Sequence, residues 1–394
     1  MTRTQRNGWF GVTAVAVGSF GTVLSEFLPI GLLPSISGDL GVSIGVAGLM
    51  VVVTGLAAAV AAPVVTVATS RLDRRVVLLG LSVVLVLADV VAATAVAFPV
   101  LLLARILLGV ALGGFWAIGL GIAPRLVAPE HTVRAASLIT VGISLATVVS
   151  LPLGAFIAAT SSWRLAFVIG AAIGVMAIVL QLSALPALPS QQRVRPAALL
   201  ELFTVPRARV GLVVAALLFA AQFAAYTYIS PFLGGAARIS PDLVSVALLV
   251  FGVAGIVGNF ATSAALNRSL RGTLVGGGLA LAASVALLPL AAHLPAAVFA
   301  LLIVWGLAWG GLPLALQTWM VSAMPEGAEA GLAMFVTTIQ VALAVGSTLG
   351  GIAVSVSGLT VDFDFAAVLA LIGTAAVVVL GLRAARGRVA VGTR

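Results

Sequence analysis

The sequence predicts an all-α membrane protein with twelve transmembrane helices in two pseudo-symmetric six-helix bundles. Of its 394 residues, 62% are hydrophobic and only 8% are charged, and the mean hydropathy is +1.27. Soluble proteins have about a quarter of their residues charged. The apolar residues also form repeated runs of the roughly 20 residues that cross a bilayer. Finally, the two halves of the chain repeat each other, which indicates two related bundles.

Twelve apolar runs are predicted to span the membrane. They cover residues 9–36, 44–69, 76–96, 98–124, 135–159, 164–185, 208–234, 242–266, 273–292, 296–321, 328–355 and 364–384. The connections between them are short, except for the proline- and arginine-containing segment 186–207. We interpret this segment as a cytoplasmic linker between an N-terminal bundle (1–185) and a C-terminal bundle (208–394) that ends in a short basic tail.

The basic residues predict the orientation of the chain. All of them are arginine, and most lie at the termini and in the even-numbered connections. These are Arg3, Arg6, Arg71, Arg74, Arg75, Arg125, Arg134, Arg193, Arg195, Arg207, Arg209, Arg268, Arg271, Arg383, Arg386, Arg388 and Arg394. Because cytoplasmic loops carry the excess of basic residues, both termini are predicted to be cytoplasmic. The net charge of +9 therefore reflects topology in a bacterial cytoplasmic membrane, and no nucleic-acid partner is expected.

The composition also argues against several chemistries. The chain has no cysteine, so disulfides, thiolate metal sites and cysteine nucleophiles are excluded. It has no lysine, so no phosphate-binding Gly-x-x-x-x-Gly-Lys loop exists, and His131 and His293 are far apart in the sequence. We therefore expect no cofactor, no metal site and no catalytic residues, and the protein is not predicted to be an enzyme.

Three charged residues lie deep inside the apolar runs, away from their ends: Glu26, Asp89 and Arg105. Charged groups at such depth are costly, rare and usually functional. Glu26 is followed by Pro29 and other helix-loosening residues, a combination typical of a proton or substrate site in a membrane carrier. All three charges are predicted at comparable depth in the outer half of the bilayer, so either acid could be the counterion of Arg105.

A constant offset aligns the two halves of the chain. It places Pro34 on Pro231, Gly55 on Gly252, Arg71 and Arg74 on Arg268 and Arg271, Gly109, Gly113 and Gly114 on Gly306, Gly310 and Gly311, and Ser150 and Gly154 on Ser347 and Gly351. Parallel repeats of six helices are the plan of one large class of transporters.

The sequence resembles the major facilitator superfamily, in particular the bacterial drug:proton antiporters. Within these, it is most similar to exporters of purines and ribonucleosides, of arabinose-type sugars and of chloramphenicol. The resemblance is carried by the segments Glu26–Pro34, Asp39–Ser43, Phe115–Trp116, Leu151–Gly154 with Trp163–Arg164, Trp305–Gly311 and Gln317–Trp319. It implies alternating access of a small-molecule substrate in a monomeric carrier.

The resemblance assigns roles to the ionisable residues. Glu26 would carry the transported proton and Arg105 would tune it, because burial disfavours an ionised carboxylate whereas a nearby arginine favours it. Alternatively, Glu26 is a structural acid that hydrogen-bonds the loosened backbone near Pro29. Asp89 is interpreted as a structural partner of Arg105, with a second proton site as the alternative.

Two further motifs of the family have structural roles. In the connection after the second span, Arg71, Arg74 and Arg75 match a cytoplasmic gating motif, although Ser70 and Asp73 replace its usual acid and glycine. The alternative for these arginines is topogenic charge. In the fifth span, Pro152 and Gly154 match the antiporter motif, in which small residues let helices pack closely and bend. The alternative for Pro152 is an ordinary bend in a membrane helix.

Spans one, four, seven and ten are expected to line the substrate cavity in this fold. The polar and aromatic candidates for substrate binding, including outliers on spans eight and eleven, are Phe27, Trp116, Gln222, Tyr226, Trp309, Gln317, Asn259 and Gln340. Aromatic and amide side chains suit a neutral, partly planar ligand. The alternative is that these aromatic residues lie at the membrane interface, where tryptophan and tyrosine are common.

We therefore predict a proton-coupled antiporter that exports a small organic molecule such as a purine nucleoside, sugar or drug. An uncoupled facilitator or importer of the same fold is the second possibility. A non-transporting membrane sensor or binding protein is the third.

Overall fold

The computed structural model describes residues 3–69, 71–119, 122–189, 205–266, 268–323 and 328–391. Within these residues, twelve helices are long and apolar enough to cross a membrane. We number them α1 (Arg3–Leu40), α2 (Leu49–Ala68), α3 (Arg74–Ala93), α4 (Phe98–Ile118), α5 (Thr132–Thr160), α6 (Arg164–Ala184), α7 (Pro206–Thr227), α8 (Pro241–Leu266), α9 (Leu270–Leu290), α10 (Pro295–Ala323), α11 (Ala328–Ser357) and α12 (Leu359–Val391). The predicted all-α fold with twelve membrane-spanning helices is confirmed.

Contacts within the chain define two compact units. Unit 1 comprises Met1–Val42 and Leu49–Val194, and unit 2 comprises Ser43–Gly48 and Arg195–Arg394. Residues 190–204, which include most of the predicted linker, lie outside the described residues. The predicted bundle boundaries at 185 and 208 therefore stay predictions.

The two units repeat the same pattern of helix packing. In unit 1, α1 packs on α5 and α6, α2 packs on α4, and α3 packs on α4 and α6. In unit 2, α7 packs on α11 and α12, α8 packs on α10, and α9 packs on α10 and α12. Each pair of unit 1 therefore has its counterpart six helices later, which agrees with the internal repeat in the sequence.

Several predicted spans differ from the helices at their ends. The second begins with a short helix, Ile44–Ala47, that is separate from α2, and the fourth ends at Ile118, well before residue 124. The seventh ends at Thr227 rather than 234 and is followed by the short helices Ile229–Pro231 and Phe232–Ala236. Pro231 has no backbone N–H to donate to the carbonyl of Thr227, which explains the end of α7 at this point.

The twelfth helix begins earlier than predicted. It starts at Leu359, whereas the apolar run was predicted to begin at residue 364. Gly358 separates it from α11 and has a φ of 95°, a left-handed conformation that glycine adopts without steric cost. As a result, Asp362 lies inside the first turn of α12 rather than in a connecting loop.

Candidate functional site

Unit 1 contains a buried cluster of one arginine, one aspartate and one serine. The Oγ of Ser25 on α1 donates to Oδ2 of Asp89 on α3 over 2.7 Å. Nη1 of Arg105 on α4 donates to the backbone oxygen of Ser25 over 2.9 Å. Nη2 of Arg105 lies 3.8 Å from Oδ1 of Asp89, and both side chains are fully buried. The cluster thus joins three helices by a charge pair and two hydrogen bonds.

The local sequence accounts for this arrangement. Asp89 lies near the end of α3 and Arg105 near the start of α4, and the short connection between them brings these ends together. Helix α6 closes the cluster with a glycine and an aromatic ring. A Cβ atom on Gly170 would lie 2.6 Å from Oδ2 of Asp89, so only glycine leaves room there. The ring of Phe167 lies 4.9 Å from the Arg105 guanidinium carbon, a favourable cation–π distance.

Arg105 keeps unused hydrogen-bonding capacity. Its Nε and Nη2 atoms make no hydrogen bond within the part of the chain that the structure describes, and the same is true of Oδ1 of Asp89. The ion pair at 3.8 Å compensates the two charges but is too long for a hydrogen bond. The guanidinium therefore has donors available for a further acceptor, which suits a group that changes partners during a functional cycle.

Glu26 follows Ser25 directly but lies on a different face of α1. Its side chain is only 5% exposed. Successive helical residues point about 100° apart, so Glu26 does not share the direction in which Ser25 reaches Asp89. It lies three, four and seven residues after Val23, Thr22 and Ser19, and positions at these spacings share one helix face.

That face of α1 borders a small recess within unit 1. The recess is lined by Ser19, Thr22, Val23, Leu112, Phe115, Trp116 and Ile143. Of the predicted substrate-binding residues, Trp116 on α4 therefore lies on the recess, and Glu26 is on the next turn of the same α1 face. Phe27 is partly exposed on α1, four residues after Val23. The roles of Glu26 in proton transfer and of Trp116 and Phe27 in substrate binding stay predictions.

Unit 2 brings three other predicted substrate-binding residues into one aromatic cluster. Nε1 of Trp305 donates to Oε1 of the fully buried Gln222 over 2.7 Å. The ring of Tyr226 lies 6.2 Å from that of Trp305, and Trp309 contacts Phe219 with ring centroids 4.8 Å apart. The Nε2 atom of Gln222 has no hydrogen-bond partner among the described residues. An amide donor inside an aromatic cluster is therefore available in this conformation.

The remaining predicted substrate-binding residues lie elsewhere in unit 2. Gln317 is exposed, two turns beyond Trp309 on α10. Nδ2 of Asn259 donates to the backbone oxygen of Gly310 over 3.1 Å and thereby joins α8 to α10. Gln340 is buried on α11. The described contacts do not bring Gln317 and Asn259 into the cluster around Gln222.

Of the predicted gating arginines, Arg74 and Arg75 begin α3 and Arg71 lies in the turn before it. Nη1 of Arg74 donates to the backbone oxygen of Thr69, and Nη2 of Arg75 donates to that of Leu182 at the end of α6. Arg71 is exposed. The Asp73 carboxylate accepts two hydrogen bonds, from the backbone N–H of Arg75 at 2.8 Å and from that of Leu188 at 2.9 Å. It thus caps α3 and holds the segment that follows α6.

Pro152 and Gly154 lie on α5 where it crosses α1, and both are buried. A Cβ atom on Gly154 would lie 2.8 Å from the Leu28 oxygen, and one on Gly31 would lie 2.5 Å from the Leu151 oxygen. The two backbones therefore approach so closely that both positions require glycine. This is the close packing implied by the antiporter motif.

Asp39, Trp163 and Arg164, which belong to the segments that carry the family resemblance, contact one another. Oδ2 of Asp39 accepts from Nη1 of Arg164 over 2.7 Å and from Nε1 of Trp163 over 3.0 Å. Nη2 of Arg164 donates to the backbone oxygen of Ala95. The end of α1, the start of α6 and the α3–α4 connection are thereby joined.

Two residues of these polar sites were not predicted. Ser25 was missed because a serine in an apolar run gives no charge signal. Asp362 is fully buried, and it was missed because its place before the predicted start of the twelfth span marked it as a loop residue. A helix boundary placed at the Gly358 turn would have put Asp362 in the membrane. No group of three or more His, Asp or Glu side chains could hold a metal ion within the described residues.

Comparison with known proteins identifies the family. The sequence model of the Major Facilitator Superfamily matches residues 15–346 of this chain. The chain belongs to the major facilitator superfamily. It is therefore a multi-pass membrane transporter of this type rather than an enzyme.

Two known proteins match nearly the whole chain. A "Transcription regulatory protein OpdE" of Pseudomonas aeruginosa is 35% identical over 372 residues, which cover 93% of this chain and 92% of that protein. A "Purine ribonucleoside efflux pump NepI" of Escherichia coli is 36% identical over 355 residues, covering 90% of each chain.

Solved structures agree with the fold. The nucleoside transporter NupG, in a mutant form, has a TM-score of 0.74 and 17% identity and covers 95% of this chain and 99% of its own. A D-xylose-proton symporter has a TM-score of 0.74 and 14% identity and covers 94% of this chain and 96% of its own. At these identities the likeness establishes the superfamily fold alone.

Proposed function

We propose that this protein is a proton-coupled antiporter that exports purine ribonucleosides across a bacterial cytoplasmic membrane. It would work as a monomer by alternating access, with both termini in the cytoplasm. The substrate class follows from the efflux pump that is 36% identical over most of both chains. The proton coupling follows from the charged groups of unit 1.

One observation carries the coupling proposal: Arg105 donates to the backbone oxygen of Ser25, the residue before Glu26. The position of the buried acid therefore depends on the Arg105–Asp89 pair. Because Arg105 contacts the backbone next to Glu26, its positive charge favours an ionised Glu26, whereas burial favours the protonated acid. A proton on Glu26 would thus alter the contacts between α1 and α4, where the recess around Trp116 lies.

The proposed substrate class fits the groups on these surfaces. A purine base is planar and offers ring nitrogens as acceptors, and aromatic rings with an amide donor complement it. The cluster of Gln222, Tyr226 and Trp309 supplies both kinds of group.

The driving force is adequate for export. One proton that enters down a membrane potential of about 100 mV supplies about 2.3 kcal/mol. At about 1.4 kcal/mol per factor of ten, one proton per nucleoside could sustain a concentration ratio of roughly fifty.

The proposal is tested by flux in proteoliposomes with an imposed pH gradient. Wild type, Glu26→Gln and the matched control Asp242→Asn, an exposed acid at the start of α8, are compared with inosine, arabinose and chloramphenicol in turn. We expect inosine to dissipate the gradient through wild type and D242N but not through E26Q. Equal, pH-independent flux through all three variants would instead indicate a facilitator.

A non-transporting sensor is the second candidate, and the relative with the printed name of a transcription regulatory protein favours it. A sensor would bind its ligand without moving it. Calorimetric binding of inosine to the purified protein, together with no flux of any compound in proteoliposomes, would support the sensor and contradict the antiporter.

A further inference from the structure

Asp362 is a second buried carboxyl group, in the unit that does not contain Glu26. It lies in the first turn of α12, and its side chain is 0% exposed. Neither Oδ1 nor Oδ2 has a hydrogen-bond partner within the described residues. Asp89, by contrast, has both a serine hydroxyl and an arginine.

The carboxyl group is enclosed where α12 packs on α7 and α11. A Cβ atom on Gly350 of α11 would lie 2.6 Å from Oδ1 of Asp362 and 2.8 Å from the backbone oxygen of Ala224 on α7. Glycine at position 350 therefore makes the space that the carboxyl group occupies. The backbone oxygen of Ala224 borders the same position, and a carbonyl oxygen is a hydrogen-bond acceptor that cannot stabilise a negative charge.

Neighbouring hydroxyl groups are already engaged. The Tyr228 hydroxyl donates to the backbone oxygen of Ser347 over 2.9 Å, and Thr227 and Ser347 share a hydrogen bond of 2.7 Å between their hydroxyls. These groups make the region polar, yet within the described residues none of them donates to Asp362.

No cation compensates Asp362 among the described residues. Tyr228 is the titratable group that interacts with it electrostatically, and it carries no positive charge. On the other helices that pack against α12, Arg271 of α9 donates to the Val378 oxygen, far along α12 from Asp362. Arg207 and Arg209 begin α7 and Glu329 begins α11, at the ends opposite to Ala224 and Gly350. Asp364, two residues along α12, is exposed.

We propose that Asp362 is a proton-binding site of unit 2, loaded in the conformation described here. An ionised carboxylate that is buried without a donor or a cation is very unfavourable, so the neutral acid is the form that this enclosure accepts. Because three helices form the enclosure, a rearrangement of α7 and α11 against α12 that opened it would expose the acid to water and allow its proton to leave. The inference that Asp362 holds a proton depends only on this geometry. The role of Asp362 as a second coupling site rests on the proposed function.

Infrared spectroscopy of the purified full-length protein at neutral pH tests the occupancy without any substrate. The carbonyl stretch of a protonated carboxyl group is separate from the bands of carboxylates. We expect Asp362→Asn to remove part of this band and the matched control Asp364→Asn to leave it unchanged. We also expect the Asp362 contribution to disappear as the pH is raised while the protein stays folded.

Two results would overturn the proposal. A spectrum of D362N with the full wild-type band would show that Asp362 is ionised. A contribution that persists to the highest pH at which the fold survives would show a permanently protonated structural acid. Thermal unfolding of each variant identifies any loss of folding, and in that case Asp362→Glu replaces D362N, with the expectation of a shifted rather than an absent band.

Flux measurements then distinguish the proposal for Asp362 from the proposed antiporter function. If wild type exchanges protons for inosine, D362N is expected to lower the ratio of protons to nucleoside, and an unchanged ratio would contradict a coupling role. If wild type moves no inosine, the proposed function fails, while the infrared result still decides whether Asp362 holds a titratable proton.

Discussion

Arg105 shows how a charge can be kept inside an apolar bundle. Its guanidinium is fully buried, and its compensation comes from Asp89, the Ser25 oxygen and the Phe167 ring. Each of these comes from a different helix. The side chain therefore holds α4 to α1, α3 and α6 at one end of unit 1, and this structural role is combined with the proposed tuning of Glu26.

Removing one partner of this pair is expected to cost more than removing both. Asp89→Asn would leave Arg105 buried without a counterion, a change that typically costs about 3–5 kcal/mol. The double variant D89N/R105Q removes the stranded charge, so we expect it to unfold at a higher temperature than D89N. Thermal unfolding in detergent measures this, with Asp242→Asn as an exposed-acid control. Destabilisations that simply add in the double variant would contradict the coupling.

At the scale of single residues, the sequence is most informative about charge. Glu26, Asp89 and Arg105 could be recognised because each interrupts an apolar run, and all three are buried. The hydroxyl donor to the Asp89 carboxylate could not be recognised, because Ser25 differs from its neighbours only by a hydroxyl group. Which face of α1 a residue occupies depends on helix packing, so the separation of Ser25 from Glu26 becomes visible only in three dimensions.

At the scale of elements, the crossing of α1 and α5 shows how closely helices of unit 1 pack. Gly31 and Gly154 each face the backbone of the other helix. Membrane helices have little hydrophobic driving force for association, so close backbone contact at small residues supplies much of their attraction. A side chain at either position would separate the helices.

A pair of variants on one helix tests this crossing. The Cβ atom of Gly31→Ala would lie 2.5 Å from the Leu151 oxygen, whereas that of Gly38→Ala meets nothing within 4 Å. Overpacking typically costs about 1–3 kcal/mol. We therefore expect G31A to lower the unfolding temperature and the flux, and G38A to leave both close to wild type. Wild-type behaviour of G31A would contradict a crossing that requires glycine.

Helix ends were the elements that the sequence predicted least well. Hydropathy located all twelve helices, but it placed the end of α7 seven residues late and the start of α12 five residues late. In both cases the boundary depends on single backbone groups: the missing N–H of Pro231 and the left-handed conformation of Gly358. An average over apolar residues does not register such groups, and Asp362 was missed for this reason.

At the scale of the whole molecule, the internal repeat is conserved in the packing but not in the chemistry. The helix pairs of unit 1 recur in unit 2, and Gly154 and Gly351 occupy corresponding positions. The polar centres differ, however. Unit 1 buries a carboxylate together with an arginine, whereas unit 2 buries Gln222 with Trp305 and a separate carboxyl group at Asp362. The repeat therefore provides two similar scaffolds for different tasks.

This division leads to a prediction for the chain cut in two. Each unit is compact by its own internal contacts. We therefore expect residues 1–189 and 205–394, produced as separate chains in the same cell, to assemble and to transport inosine. Unit 2 also includes Ser43–Gly48, whose short helix packs on α11. Residues 205–394 produced alone are therefore expected to be less stable than when both fragments are present.

Inosine flux in membrane vesicles and the thermal stability of the purified fragments are the measurements, and each fragment alone serves as the control for flux. Two fragments that both reach the membrane without restoring any flux, beside an active intact chain, would show that the covalent link between the units is itself required. Equal stability of residues 205–394 with and without the other fragment would show that Ser43–Gly48 contributes little to unit 2. Restored flux would instead assign the residues between 189 and 205 to a connecting role, which is the role that their proline and arginine content predicts.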